Sequence, residues 1–178
     1  LKIAIVPQPN WRDDLRDFKK LGRPRLFFGI SAGSMDSMVN KYTANKRLRS
    51  EDAYTPDGRP DMRPEYPSIV YSQILKKLYP DAPVILGGIE ASMRRLSHYD
   101  YWQDKVQKSI LCDSGADLLI YGMGEKPIVE LIRKMKNLLP TEQATLTTNE
   151  FKTIVGTIPQ TAYLCRAAEW TEIGRAHV

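Results

Sequence analysis

The chain has 178 residues, of which 42% are hydrophobic and 26% charged, and its net charge is +5. This is the composition of a soluble globular protein, and the length suits one domain. The apolar runs are far shorter than the ~20 residues that a membrane-spanning helix needs, so we expect no membrane span and a cytoplasmic protein. Two cysteines are too few for a disulfide framework. Because the positive charge is small and spread along the chain, we do not expect a nucleic-acid partner.

Both ends of the sequence indicate a domain that has been cut. Residue 1 is not methionine, and an apolar run starts there at once. The last seven residues, EIGRAHV (172–178), have no periodicity and match the translation of a common short-read sequencing adapter. We therefore interpret 172–178 as an artefact, assign the domain to residues 1–171, and expect it to be truncated at both ends.

Strands and helices are predicted to alternate along the chain. Short apolar runs bounded by glycine or proline predict strands, and apolar residues spaced at i, i+3, i+4 and i+7 predict helices. In chain order they are strand Leu1–Val6, a short charged helix Asp13–Lys20, strand Leu26–Ile30, helix Ser34–Tyr42, helix Ser68–Tyr79, strand Val84–Leu86, strand Leu118–Tyr121, helix Pro127–Leu138, and a weaker strand in Thr153–Ile158 or Thr161–Leu164. We therefore predict an α/β fold with a doubly wound, mostly parallel sheet, Rossmann- or flavodoxin-like.

Residues 45–67 interrupt this alternation. The segment is rich in proline and charge, and it predicts a long insertion after the second helix. At its start, four basic residues lie close together with no acidic residue among them: Lys41, Lys46, Arg47 and Arg49. Such a cluster is usually a solvated face. Its alternative role is a docking surface for an anionic ligand or an acidic neighbouring domain.

Three predicted strands end in segments rich in glycine and serine. These segments are GISAGS (29–34), GGIEAS (87–92) and GMGE (122–125). In an open parallel sheet, ligands bind beyond the carboxyl ends of the strands. Glycine lets the backbone approach a ligand closely, and free N–H groups at helix N-termini suit phosphate. The three edges together could cradle a large cofactor, although each glycine alone fits an ordinary strand-to-loop turn equally well.

One of these edges also matches a catalytic string. Gly29-x-Ser31-x-Gly33 has the pattern of a serine-hydrolase nucleophile elbow, between a predicted strand and a predicted helix. Such a serine needs a histidine to activate it, and His98 is the only histidine once the tail is excluded. We expect His98 to lie at a helix start with a structural role, so the sequence does not favour a hydrolase.

Four long stretches of the sequence point to a known family. They read PRLFFGISAGSMDSMVNKYTANK (24–46), RSEDAYTP (49–56), PVILGGIEASMRRLSHYDYWQDKV (83–106) and DLLIYGMGEKPIVEL (117–131). These strings resemble the N-terminal region of the YgiQ-type radical SAM proteins, over about residues 1–164. The resemblance implies a cobalamin-binding-like Rossmann domain that precedes a radical SAM domain in a protein several hundred residues longer.

The same resemblance implies an iron-sulfur enzyme of unknown substrate. In family members, a CxxxCxxC motif in the later domain holds a [4Fe-4S] cluster and presents S-adenosylmethionine for reductive cleavage. This chain has no such motif, because Cys112 and Cys165 stand alone, and it has no DxHxxG motif for cobalamin. The cluster and S-adenosylmethionine are therefore expected in the parent protein and not in this chain, while cobalamin is a candidate ligand.

By resemblance, the chain contributes cofactor or substrate docking, with the C-terminal radical SAM domain of the same parent chain as its partner. The residues carried over as motif matches are Ser31, Gly87, Gly88, Gly122 and Gly124. Glu90 and Glu125 are further candidates to hydrogen-bond a ligand, and Glu125 equally fits a helix cap. The alternative is a non-catalytic interaction module that packs on the catalytic domain through the 45–67 insertion.

Overall fold

Strands and helices alternate through the part of the chain that the computed structural model describes, residues 2–141 and 143–166. The elements are α1 (Arg16–Lys19), β1 (Phe28–Ser31), α2 (Ser37–Lys41), α3 (Pro67–Leu78), β2 (Val84–Gly87), α4 (Gly88–Met93), β3 (His98–Asp100), β4 (Lys105–Gln107), α5 (Ile110–Ser114), β5 (Leu118–Ile120), α6 (Glu125–Leu138), α7 (Thr148–Val155) and β6 (Thr161–Ala162). The 172–178 tail lies outside the described residues. Within those residues, no helix is both long and apolar enough to cross a membrane.

The main sheet has the strand order β1-β2-β5-β6. Its first three strands are parallel, with Ile30 beside Leu86 and Leu86 beside Leu119, whereas β6 runs antiparallel to β5. Strands β3 and β4 form a separate antiparallel pair. The predicted α/β fold with a mostly parallel sheet is therefore confirmed.

Side chains on alternate residues of the strands enter two different cores. On one face, Val84, Leu86 and Leu119 belong to a cluster with residues of α1, α3 and α5. On the other face, Ile85 and Leu118 belong to a cluster with residues of α6 and α7. Because both faces of each central strand are covered, these strands read as continuous apolar runs rather than as alternating ones.

Helix α7 includes the first half of Thr153–Ile158, one of the two segments predicted as the last strand. The Thr147 side chain accepts a hydrogen bond from the N–H of Glu150, and the Glu150 carboxylate accepts one from the N–H of Thr147, which is a capping box. Phe151 and Val155, four residues apart, are both buried. The predicted strand Thr153–Ile158 is therefore wrong, and the alternative, Thr161–Leu164, is confirmed in its first two residues as β6.

The predicted strand Leu1–Val6 is not formed in its described part, Lys2–Val6. Ile3 is 78% exposed and Ile5 is 85% exposed. The reason is that no described strand lies beside this segment, and an extended segment without a neighbour leaves its backbone groups unpaired within the protein. The prediction that His98 lies at the start of a helix is also wrong, because His98 is the first residue of strand β3.

The segment between α2 and α3 packs against the rest of the domain. Arg63 pairs with Asp52 at 2.9 Å, and both side chains are largely buried. Arg63 also donates to the carbonyl oxygen of Ala32, just beyond β1. Within the basic cluster, Lys41 Nζ lies 2.7 Å from an Asp61 oxygen, and Lys46 lies over the Tyr101 ring. The insertion is therefore tied to this domain by its own contacts.

Candidate functional site

The carboxyl ends of β1, β2 and β5 bring the predicted site residues to one edge of the sheet. Ser31 at the end of β1 lies beside Gly87 at the end of β2. The N–H of Gly122, after β5, donates to Ser92 Oγ at 3.3 Å, and that hydroxyl donates to the carbonyl oxygen of Gly88 at 2.8 Å. Gly124 lies farther along, immediately before α6.

Helix α4 covers much of this edge. It begins directly after β2, and it contacts β1, β2 and β5. Ala91 on its inner side is fully buried. The order of the parallel strands follows the chain, so the described strands contain no reversal of winding, which is where Rossmann-like sheets open a binding crevice. The chain's own helix therefore occupies the place where the sequence indicated a cradle.

Two adjacent glycines differ sharply in what surrounds them. Gly88 has a φ of +82°, and a Cβ atom there would lie 2.5 Å from Ser31 Oγ. Gly87 has extended backbone and open space at the Cβ position. Gly88 is thus required for close packing of the β2–α4 turn on the end of β1, whereas Gly87 leaves room on the surface.

Glu90 is a fully buried carboxylate on the inner side of α4. One of its oxygens accepts a hydrogen bond from the N–H of Ser37 at 3.2 Å, and the other accepts one from the N–H of Ser68 at 3.1 Å. These N–H groups belong to the first turns of α2 and α3. Glu90 therefore caps two helices and does not face a ligand, which corrects the expectation from the sequence. Glu125 is exposed in the first turn of α6, where a negative charge is favourable.

A buried ion pair lies next to Glu90. Asp36 caps α2 by accepting from the N–H groups of Met38 and Val39, and its carboxylate pairs with the guanidinium of Arg94. Burial alone would lower the pKa of Arg94, but the hydrogen bond and charge of Asp36, helped by the charge of Glu90, raise it above its usual value. The pair therefore balances the buried charge of Arg94 at the end of α4.

The same network reaches the β3–β4 hairpin through Tyr66. The Arg94 guanidinium lies 5.2 Å from the centre of the Tyr66 ring, and the Tyr66 hydroxyl donates to Asp100. Burial and the Asp100 carboxylate raise the pKa of Tyr66. Burial would raise the pKa of Asp100, but hydrogen bonds from Tyr66 and from the N–H groups of Gln103 and Trp102 lower it. Sequence reasoning did not single out Asp36, Arg94, Tyr66 or Asp100.

These contacts decide which helix ends can bind an anion. The N-termini of α2 and α3 already hold the carboxylates of Glu90 and Asp36, which use the N–H groups that phosphate would need. A phosphate site after the first of the three glycine-rich segments, at the start of α2, is therefore taken by side chains of the protein.

The hydrolase interpretation gains no support from the geometry. Ser31 Oγ accepts from the N–H of Gly33 at 3.2 Å, and His98 Nδ1 lies 3.1 Å from the carbonyl oxygen of Leu96. No hydrogen bond joins Ser31 to His98 in the described structure.

The residues present do not fit an iron-sulfur cluster. Cys112 and Cys165 are both exposed and unpaired. Across residues 2–141 and 143–166, no three His, Cys, Asp or Glu side chains are grouped so that they could hold a metal ion. A cluster needs several cysteine thiolates, so the described residues offer no site for one.

The outer side of the covered edge is apolar. Ile89 and Met93, four residues apart on α4, are 47% and 61% exposed, and Leu96 just after the helix is 66% exposed. Met123, next to the Gly122 that bonds to Ser92, is 76% exposed. We call these four residues the α4 surface.

Comparison with known proteins identifies the class of this domain. The sequence model described as "Radical SAM N-terminal" matches residues 1–173, so the chain belongs to the radical SAM N-terminal family. It is 90% identical over 171 residues to a "UPF0313 protein" of Bacteroides thetaiotaomicron, which covers 96% of this chain and 28% of that protein. It is 76% identical over 135 residues to one of Porphyromonas gingivalis, covering 76% of the chain and 21% of the relative.

More distant relatives match in the same way. A "UPF0313 protein" of Thermotoga neapolitana is 55% identical over 130 residues, covering 73% of this chain and 23% of the relative. The chain thus spans about a quarter of the length of these curated relatives. No solved structure matches it.

Replacing Glu90 should show that two helices depend on it. Glu90→Gln keeps the shape but removes the charge and turns one acceptor into a donor that faces an N–H group. We expect a loss of about 3 kcal/mol in the free energy of unfolding, measured with urea. The control is Glu125→Gln, an exposed acid in a first helical turn, which should lose less than ~0.5 kcal/mol. Equal effects of the two changes would contradict the capping role.

The two glycines of the β2–α4 turn should respond differently to alanine. Gly88→Ala must place a methyl group against Ser31 Oγ in a left-handed backbone conformation, so we expect a loss of about 2 kcal/mol or more. Gly87→Ala should be nearly neutral, because its Cβ meets open space. Adding Ser31→Ala should recover part of the Gly88→Ala loss. Chemical unfolding of all four proteins measures these differences, and a stable Gly88→Ala protein would refute the packing argument.

Proposed function

We propose that the chain is the N-terminal domain of a radical SAM iron-sulfur enzyme and packs on the catalytic part of that protein through the α4 surface. The observation that carries this proposal is the apolar outer side of α4, above a helix whose inner side is fixed by Glu90 and Arg94. Family membership and the greater length of the relatives, of which this chain matches about a quarter, support the choice of partner: the remaining chain, with a [4Fe-4S] cluster and S-adenosylmethionine.

The chemistry of the α4 surface suits an interface within one protein. Exposed apolar residues that lie together mark interaction sites on soluble domains. Two of the four are methionines, whose flexible side chains adapt to the shape of a partner. Because α4 is held from below by buried charged groups, it presents these residues on a rigid support, and little ordering is needed on contact.

Packing at this edge would give the domain a role in the reaction. A domain packed over the catalytic part would exclude water from that part and help to shape the space for the substrate. When bound, the cluster and S-adenosylmethionine supply the radical chemistry, and this chain supplies a surface that positions them from outside. We further propose a cytoplasmic location, where the exposed thiols of Cys112 and Cys165 would stay reduced.

The test compares hydrogen exchange in the full-length protein and in the isolated chain. We expect the amides of residues 88–96 to exchange at least about ten times more slowly in the full-length protein, because the interface suppresses local opening. Met93→Asp should remove that protection by placing a charge in an apolar contact. Val106→Asp is the matched control, since Val106 is 75% exposed on the β3–β4 hairpin and is not one of the four residues of the α4 surface. Equal exchange of 88–96 in the two wild-type proteins would rule out the interface.

A second candidate function is cofactor docking at the same edge, with cobalamin as the cofactor. The exposure of Ser31, Gly88 and Gly122 favours it, together with the open space at Gly87. Against a deep site stand the cover provided by α4 and the occupied helix ends. Any ligand would therefore bind on the surface beside Gly87 and Gly124.

Visible absorption spectra test the cofactor directly. If the edge binds cobalamin, the visible spectrum of hydroxocobalamin should shift when the full-length protein is added. Gly87→Leu should abolish this shift, because the larger side chain fills the open space without disturbing the fold. Ala53→Leu, at an exposed position in the insertion, is the control. A spectrum that does not change, or a shift that survives Gly87→Leu, would exclude this site.

A further inference from the structure

The segment Lys2–Val6 has the character of a buried strand but lies in solvent. Three of its five residues are Ile or Val, the residue types enriched in strands. Ile3 and Ile5 are almost fully exposed. Such exposure is costly for residues of this type, at about 25 cal/mol for each Å² of apolar surface left in water. The segment therefore has much to gain from a neighbour.

The main sheet has an open edge that could supply one. Strand β1 pairs with β2 on one side, and no described strand pairs on its other side. The N–H of Phe28 donates to the carbonyl oxygen of Pro83, so Phe28 and Ile30 direct their backbone groups towards β2. By the alternation of a parallel strand, the backbone groups of Gly29 and Ser31 point away from β2, to the open side.

The residues that follow Lys2–Val6 are anchored at the carboxyl end of β1. Gln8 donates to the carbonyl oxygen of Tyr54 at 2.6 Å, and Trp11 donates to that of Met62 at 3.2 Å. The next residue after Met62 is Arg63, which donates to the carbonyl oxygen of Ala32, just past β1. A strand that ends at Val6 next to these anchors would run parallel to β1.

The connection from Val6 to β1 determines on which side of β1 the segment Lys2–Val6 would lie. It comprises residues 7–27, longer than the dozen residues that a parallel crossover requires. Its helix α1 packs on the face of the sheet that also carries α3, through the contact of Phe18 with Tyr71. Helix α3 is the crossover from β1 to β2. Parallel crossovers are right-handed in about 98% of cases, so two successive crossovers on the same face must advance in the same direction.

We infer that, in the full-length protein, Lys2–Val6 is a further parallel strand of this sheet, on the β1 side, with α1 as the crossover helix. The order then continues from that strand through β1 and β2 to β5 without reversal. The inference does not depend on the α4 surface, because none of the four residues of that surface enters the argument. This arrangement explains why an apolar run that has no neighbouring strand among the described residues directly precedes a crossover connection.

Hydrogen exchange with single-residue resolution tests this arrangement in the full-length protein. We expect the alternate amides within residues 3–6 that face β1, and the outward amide of Gly29, to exchange at least about ten times more slowly there than in the isolated chain. Fast exchange of residues 3–6 in the full-length protein would overturn the inference. Protection of residues 3–6 without protection of Gly29 would also overturn it, because the strand would then lie elsewhere.

A pair of variants separates burial of this segment from general effects. Ile5→Asp should lower the melting temperature of the full-length protein and abolish protection of residues 3–6, while leaving the isolated chain unchanged, because Ile5 is exposed there. Val106→Asp, an exposed apolar residue of the hairpin, should change neither protein. An Ile5→Asp protein that keeps both its melting temperature and its protection would contradict the inference. Protection of residues 88–96 is read in the same experiment, so failure of the interface and failure of the strand are distinguished.

Discussion

The buried carboxylate of Glu90 is the constraint on which the arrangement of this domain depends. A charge without solvent is tolerated only when donors surround it, and here the donors are N–H groups from the first turns of α2 and α3. The first residues of these helices, Ser37 and Pro67, are thirty positions apart in the chain, yet an N–H group in the first turn of each lies within hydrogen-bond distance of one side chain. Glu90 therefore fixes where both helices begin, and through α3 it fixes the crossover between β1 and β2.

The two sides of helix α4 carry different chemistry: charged side chains on the buried inner side and apolar side chains on the exposed outer side. Its inner side carries Glu90 and Arg94, which bind the ends of α2, α3 and the hairpin through Asp36 and Tyr66. A helix of six residues has little stability of its own, so these buried contacts hold it in place. The outer side carries the apolar residues Ile89 and Met93, which stay about half exposed. This division is typical of a surface selected for contact with something else.

Much of the architecture followed from the sequence because burial on both faces leaves a clear pattern. The sequence predicts Val84–Leu86 and Leu118–Tyr121 as strands because nearly every residue in them is apolar, and it predicts α3 and α6 from helical spacing. The elements that were missed lack such a pattern. Helix α4 is short, and the hairpin strands are mostly polar or exposed. The segment Thr153–Ile158 has β-branched residues that favour a strand, whereas the capping box at Thr147 decides for a helix.

The candidate site shows a different limit of sequence reasoning. The glycines and Ser31 were placed correctly at one edge because parallel strands end together, but the sequence could not show that Gly88 and Ser31 pack on each other. Nor could it show that Glu90 meets Ser37 and Ser68, since this contact joins three segments that are far apart in the chain. A glycine-rich edge serves either a ligand or close packing, and the discriminating quantity is what fills the space beside each glycine. At Gly88 the protein fills it, while at Gly87 the space is open. The edge therefore combines a closed inner layer with an exposed, apolar outer surface.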